Sequence, residues 1–463
     1  VSLWTASEIA AATGGKAAAD FAVTGVTFDS REVQPGDLFI AMRGEETDGH
    51  RFIDRALAAG AAGIICETPI DGPHVRVADG FAALQALGHA ARARSAATIF
   101  GVTGSVGKTG TKEALAAALD RWQPGAVHRS VKSYNNHTGV PLSLARMPRD
   151  AKLGVFEMGM NHAGEIAALT HMVRPHIAMV TTIAPAHIEN LGSIEDIAAA
   201  KAEIFEGLEP GGIALLPHDS PQVGILAAAA GRHAARTICF GLNDGADVRA
   251  LDWVHDDETG GSIVTAQVMD AILCFTLAPP GDHWVANAMA VLAAVAAAQG
   301  DLPAAGLALA ELPGLAGRGA RHLLPVGDGE ALLIDESYNA NPASMAATLA
   351  QLAREPATRH LAVLGAMKEL GGHGPALHAA LAEPILAAGV SHLWLVGEEM
   401  RPLADALAGH VVLTHGHSVE AALASLSSAL QPGDAVLVKG SNSVGLARLV
   451  ASLTAAALAD GEA

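Results

Sequence analysis

The chain is poor in aromatic residues, in cysteine and in positive charge. Aromatics make up 4% of its 463 residues although half of them are apolar, so Ala, Leu, Val and Ile must build the cores, as in α/β enzymes. Its three cysteines, Cys66, Cys239 and Cys274, lie far apart without CxxC or zinc spacing. This excludes a disulfide scaffold and a zinc ribbon, and points to a reducing compartment. Lys and Arg number 29 against 48 Asp and Glu, a net charge of −19, which argues against nucleic acid or an anionic membrane as partner. No basic segment followed by an apolar one opens the sequence. The longest uncharged stretch, 283–300, is Ala-rich and contains Asn287 and Gln299, so it reads as a buried helix and not as a membrane span. A cytoplasmic location is expected.

The length is too great for one ordinary core and predicts about three domains. Residues 1–82 read as a small α/β unit. Residues 83–311 carry apolar runs at 97–102, 153–157, 177–182, 212–216 and 236–240 that alternate with helical patterns, which predicts a parallel sheet. A stretch at 247–277 alternates as antiparallel strands do. Pro and Gly at 312–317 mark a linker, after which βα alternation resumes through 312–463 in a Rossmann-like pattern. The fold class expected is therefore α/β, with a small substrate unit, a central P-loop ATPase-like sheet and a C-terminal Rossmann-like unit.

The most informative segment is Thr103-Gly-Ser-Val-Gly-Lys108-Thr109. It follows an apolar run and precedes a helical pattern in which Leu115, Leu119 and Trp122 share a face. Such a strand, loop and helix start cradles phosphates. The backbone N–H groups of Gly104, Ser105, Gly107 and Gly110 face the anion, Lys108 adds a cation, and the Thr109 hydroxyl can hold Mg²⁺. The strict pattern asks for Gly at position 102, where Val stands. Glu157 ends the next strong strand, at the edge where open α/β sheets bind ligands, and offers Mg²⁺ a hard oxygen. His187 follows the third strand at the same edge.

Lys201 stands on an apolar helical face with Ile194, Ile197, Ile204 and Leu208, after a capping-box-like Ser193-Ile-Glu-Asp196. Either its stem snorkels to water, or burial lowers its pKa and leaves a neutral amine able to add CO₂ and become a carbamate.

With these residues in place, the chain resembles the Mur ligases of peptidoglycan synthesis over nearly its whole length. Thr-Gly-x-x-Gly-Lys-Thr is that family's own form of the loop. The resemblance implies magnesium sites at Thr109, Glu157, His187 and a carbamylated Lys201. It implies that Asp29, Ser30 and Arg31, in Phe28-Asp-Ser-Arg31, bind a uridine-nucleotide substrate. Asn135, Asn136 and Thr138, in Ser133-Tyr-Asn-Asn-His-Thr-Gly139, would meet its muramoyl part. Asn287, Arg318 and Glu336 would serve ATP, and Lys108, His187, Lys201, Asn339 and Lys439 would be catalytic. Asp335-Glu-Ser-Tyr-Asn-Ala-Asn-Pro342, together with the lack of Asp-Asn-Pro-Arg, implies addition of D-alanyl-D-alanine to UDP-N-acetylmuramoyl-tripeptide. A monomer is expected. Two positions depart from the family pattern. Gly110 stands where many relatives have Thr or Ser, and Trp284 where they have Asn. The readings competing with this one are another ligase of the superfamily, such as a folylpolyglutamate synthetase, and a P-loop switch that hydrolyses ATP only to change shape.

Overall fold

The computed structural model describes residues 2–44, 47–186, 188–256 and 261–461. Three larger sheets organise them, one inside each of the three expected segments, and a two-stranded antiparallel pair, Trp4–Thr5 with Ala22–Val23, accompanies the first. The first has five strands in the order Lys16–Ala17, His74–Arg76, Gly63–Cys66, Asp37–Ile40 and Gly25–Thr27, parallel except for its first pair. The second, of nine strands, spans 98–277. The third, of six, is parallel apart from the hairpin Ala320–Val326 and Gly329–Glu336 at its edge.

In the central sheet the loop-bearing strand Thr98–Thr103 pairs in parallel with Leu153–Glu157 on one side and Ile177–Val180 on the other. The chain reaches these neighbours in opposite directions, so a crevice opens at the carboxyl end of Thr98–Thr103. An apolar helix, Asp282–Ala297, backs the crevice. Its residues Ala288–Val295 are all at most 1% exposed, which accounts for the long uncharged stretch. Burying each larger aliphatic side chain there contributes about 1.5–3 kcal/mol. No helix among the described residues is long and apolar enough to cross a membrane.

Among the strands that escape the sequence pattern are Val127–Arg129 and Ala320–Val326, both at sheet edges. The first has only three residues, and the second carries Pro325 at a sheet edge, so neither shows a clean period. We propose the three sheet-centred units as the domains. The division at 82 falls inside the helix Gly80–Ala93, whose Gly88 lies against Pro141 of the central helix Gly139–Ala145. That helix therefore bridges two units.

Candidate active site

The phosphate loop takes its shape from backbone conformations that favour glycine. Gly104 has φ +149° and Gly107 φ +83°, and a Cβ on Gly107 would come within 2.8 Å of Asn287 Oδ1. The helix Lys108–Trp122 begins on Gly107 with no side-chain cap. Its first N–H groups are left for an anion. Ser105 Oγ, buried in the loop, has no hydrogen-bond partner. The Lys108 ammonium donates to the loop's own Gly104 carbonyl, 2.7 Å away, and burial lowers its pKa while Glu157 opposes the shift. The donor set, with an orphaned hydroxyl and an uncapped helix start, fits a polyphosphate.

Around this loop a polar network is drawn together from four chain segments. Glu157 is buried at the end of its strand. It accepts from Thr109 Oγ1 at 2.8 Å and from Asn135 Nδ2 at 2.7 Å. Thr109 also lies 3.2 Å from Ser133 Oγ. Arg318, from the linker, donates to Ser133 Oγ at 3.1 Å and stacks over the Tyr338 ring. The Thr109 hydroxyl keeps lone pairs and Glu157 is an anion, so the pair suits a hard cation. Among the described residues no cluster of three or more His, Cys, Asp or Glu could hold a metal by itself. Phosphate oxygens and water would have to complete such a shell. His187 lies outside the described residues.

Lys201 is 1% exposed. Burial pushes its pKa well down, and the charge of Lys108 pushes the same way. Its amine therefore does not snorkel. The helix is shorter than the periodicity predicts. Regular α-helix covers Ile194–Ala202 and a tighter turn covers Glu203–Gly207, yet Ile204 remains buried. Only half of the expected capping box forms. Ser193 Oγ accepts from the Asp196 N–H, while the aspartate meets the serine hydroxyl and not its backbone.

The expected substrate residues separate. Asp29, Ser30, Arg31 and Thr138 line one open cleft of about 1050 Å³, together with Phe81 and His137. Asp29 and Arg31 are paired, and that pairing holds the Asp29 carboxyl down to about 2. Asn135 does not face this cleft but Glu157. Asn136 uses its side-chain oxygen to accept from the Thr138 and Gly139 N–H groups at the start of the next helix, a local structural task. Phe81 carried no signal in the sequence. It stands edge-on to His137 across the cleft.

In the C-terminal unit Lys439 is buried and paired with Glu336 at 3.1 Å, and it also donates to the Asn339 carbonyl. The Asn339 side chain accepts from the Ala340 N–H. Glu336 and Lys439 both act electrostatically on His283, in the first turn of the apolar helix that carries Asn287. A smaller cavity of about 250 Å³ lies beside Trp284, Pro279, Leu312 and Arg318.

The two departures prove to be neighbours. A Cβ on Gly110 would lie 2.9 Å from the Trp284 ring, so the missing side chain at 110 makes room for the indole. Gly110→Thr should therefore cost about 1–3 kcal/mol through overpacking, read as a lower midpoint in thermal unfolding. Adding Trp284→Asn should recover part of that loss as coupling. A more stable Gly110→Thr single variant would contradict this packing account.

Comparison with known proteins agrees with this arrangement. Three family models match successive segments: "Mur ligase family, catalytic domain" over 22–94, "Mur ligase middle domain" over 102–295 and "Mur ligase, glutamate ligase domain" over 324–442. The chain is 38% identical to the UDP-N-acetylmuramoyl-tripeptide--D-alanyl-D-alanine ligase of Synechocystis, covering 94% of this chain and 93% of that one. A crystal structure of MurF from Acinetobacter baumannii superposes with a TM-score of 0.83 at 29% identity, over 97% of this chain and 98% of that one. A MurF ligase from Thermotoga maritima, solved in complex with ADP, gives 0.77 at 28% identity, over 93% of this chain and 97% of that one.

Proposed function

The chain belongs to the Mur ligase family, and from that premise we infer that it joins D-alanyl-D-alanine to UDP-N-acetylmuramoyl-tripeptide, with conversion of ATP to ADP and phosphate, in peptidoglycan precursor synthesis. The observation that carries the site assignment is the meeting of Thr109, Glu157, Ser133, Asn135 and Arg318 at the mouth of an uncapped phosphate loop.

A free carboxylate forms a peptide bond only after activation. The terminal carboxylate of the tripeptide attacks the γ-phosphorus of ATP, the bond to ADP breaks, and an acyl phosphate results. The dipeptide amine then attacks the acyl carbon. The tetrahedral adduct loses its ammonium proton and expels phosphate. The first step brings two anions together, so the site must offset their repulsion. Lys108 turns from the Gly104 carbonyl to the phosphates, and the helix N–H groups take the oxygens. Arg318, stacked on Tyr338, brings a second cation from the linker. The cavity beside Trp284 takes the nucleoside, and the Asp29–Arg31 cleft takes the uridine nucleotide.

Thr109, Glu157, His187 and a carbamate on Lys201 are the groups that would hold magnesium, which supplies charge neutralisation and alignment of the transferring phosphoryl group when bound. Lys439, Glu336 and Asn339 close the site from the C-terminal unit and help exclude water from a hydrolysable acyl phosphate. A substrate carried on UDP, together with the need for ATP, fits a cytoplasmic reaction of small molecules, and we propose that the chain acts as a monomer.

The assay mixes protein, ATP, Mg²⁺ and UDP-N-acetylmuramoyl-tripeptide and follows ADP with and without D-alanyl-D-alanine. ADP should accumulate only when the dipeptide is present. Equal release without it would mean an ATPase switch. Equal release with a single amino acid would mean a different ligase of the superfamily.

A further inference from the structure

Lys112 is as deeply buried as any side chain in the protein, at 0% exposure, yet none of the chemistry above uses it. It stands three residues after Thr109, and so on the same side of the phosphate-loop helix. Its ammonium donates to the Ser130 carbonyl at 2.8 Å and the Lys132 carbonyl at 2.6 Å, and lies 2.7 Å from the Glu113 carboxylate. Glu113 in turn accepts from Arg129 Nε at 2.7 Å. The ammonium thus donates to two carbonyls, and its charge has a carboxylate partner. Those are the conditions under which a buried lysine is tolerated.

The two carbonyls belong to the segment that leaves the edge strand Val127–Arg129 and leads into the substrate loop. Lys132 is held at φ +54°, and its own ammonium pairs with Glu32 of the N-terminal unit. Immediately after it come Ser133, which Thr109 and Arg318 contact, Asn135, which holds Glu157, and Thr138, which lines the large cleft. We propose that Lys112 is a positioning residue for the muramoyl substrate. By gripping two carbonyls at the root of the loop it locks residues 130–138 to the helix that carries Lys108 and Thr109. The loop then presents Thr138 to the large cleft and keeps Asn135 on Glu157, both in a fixed place relative to the γ-phosphate. Removing the ammonium leaves two carbonyls without their donor and frees the loop's root. The phosphate loop itself keeps its glycine backbone and the Lys108–Gly104 contact, and gives up at most the contact of Thr109 with Ser133.

The inference rests on the proposed reaction, and the test separates the two. Wild type and Lys112→Met are titrated calorimetrically with ADP and, separately, with UDP-N-acetylmuramoyl-tripeptide, and KM and kcat are then measured. Lys112→Met should weaken the uridine substrate about 10–100-fold in Kd and KM, while ADP affinity stays within about twofold. Unchanged substrate affinity would overturn the proposal. So would equal loss of both ligands, which is what a merely structural lysine predicts. If Lys112→Met does not accumulate as folded protein, Lys112→Gln, with an amide donor on a shorter stem, is read in the same way. Failure of both to fold also overturns the proposal. Failure of wild type to bind the uridine substrate would instead count against the reaction itself.

Discussion

Lys201→Ala is expected to lower kcat by about 10³-fold, and short carboxylates such as acetate or propionate are expected to return part of the loss. An ammonium at 1% exposure, with another lysine pressing on it, is costly to keep charged. The neutral amine is the form whose lone pair adds to CO₂, and loss of the N–H proton then leaves a carbamate. That group would be an anion at the end of a four-carbon stem, close enough to Lys108 for their charges to interact. Alanine removes both the stem and the anion, and a small carboxylate can diffuse into the space. The rescue agent discriminates between roles. Recovery with alkylamines in place of carboxylates would mean that Lys201 works as a cation. Full activity without any additive would mean that the residue only fills volume.

Glu157→Gln should be nearly as damaging, with kcat down by about 10²–10³-fold and the Mg²⁺ concentration for half-maximal activity up by about 10–100-fold. Glu157 receives two donors, Thr109 Oγ1 and Asn135 Nδ2. Glutamine keeps the shape but offers one acceptor where the site uses two. Its amide N–H groups would face a hydroxyl proton or another amide. The change also deletes the negative charge that favours the ammonium form of Lys108. The measurement is ADP release against Mg²⁺ concentration for both proteins. A variant with an unchanged Mg²⁺ requirement and a rate within a few-fold of wild type would reduce Glu157 to a well-packed strand end.

How legible each part was depends on how local its cause is. The phosphate loop could be read because a strand, two glycines and Gly-Lys-Thr at a helix start are contiguous and impose their own backbone geometry. Glu157 could be read because a strand's final residue at a parallel-sheet edge has few places to point. Lys201 could be read from periodicity alone, since a charge in register with Ile194, Ile197 and Ile204 contradicts the face it occupies. The same test applies to Lys112, which precedes Leu115 and Leu119 at spacings of three and seven. There the signal is present, but only the fold shows which carbonyls receive the ammonium. Asn135 and Asn136 could not be told apart. Adjacent identical side chains divide between a carboxylate and a helix start only once the chain direction is known. The Gly110–Trp284 contact was invisible for a similar reason: two departures 174 residues apart become one packing solution only when two helices meet.

By itself, then, the sequence determined the α/β class, the triphosphate loop, the carboxylate at the strand end and a lysine out of place, because each follows from short-range periodicity or from a backbone conformation that few residues can adopt. Tertiary structure alone decided which of these groups meet. It brought Arg318 of the linker to Ser133, set Glu157 between Thr109 and Asn135, and closed Lys112 onto two carbonyls of a loop 18 and 20 residues away. Those contacts depend on the order of strands around Thr98–Thr103 and on the burial of polar groups that must find partners wherever the fold delivers them. No local pattern encodes that outcome.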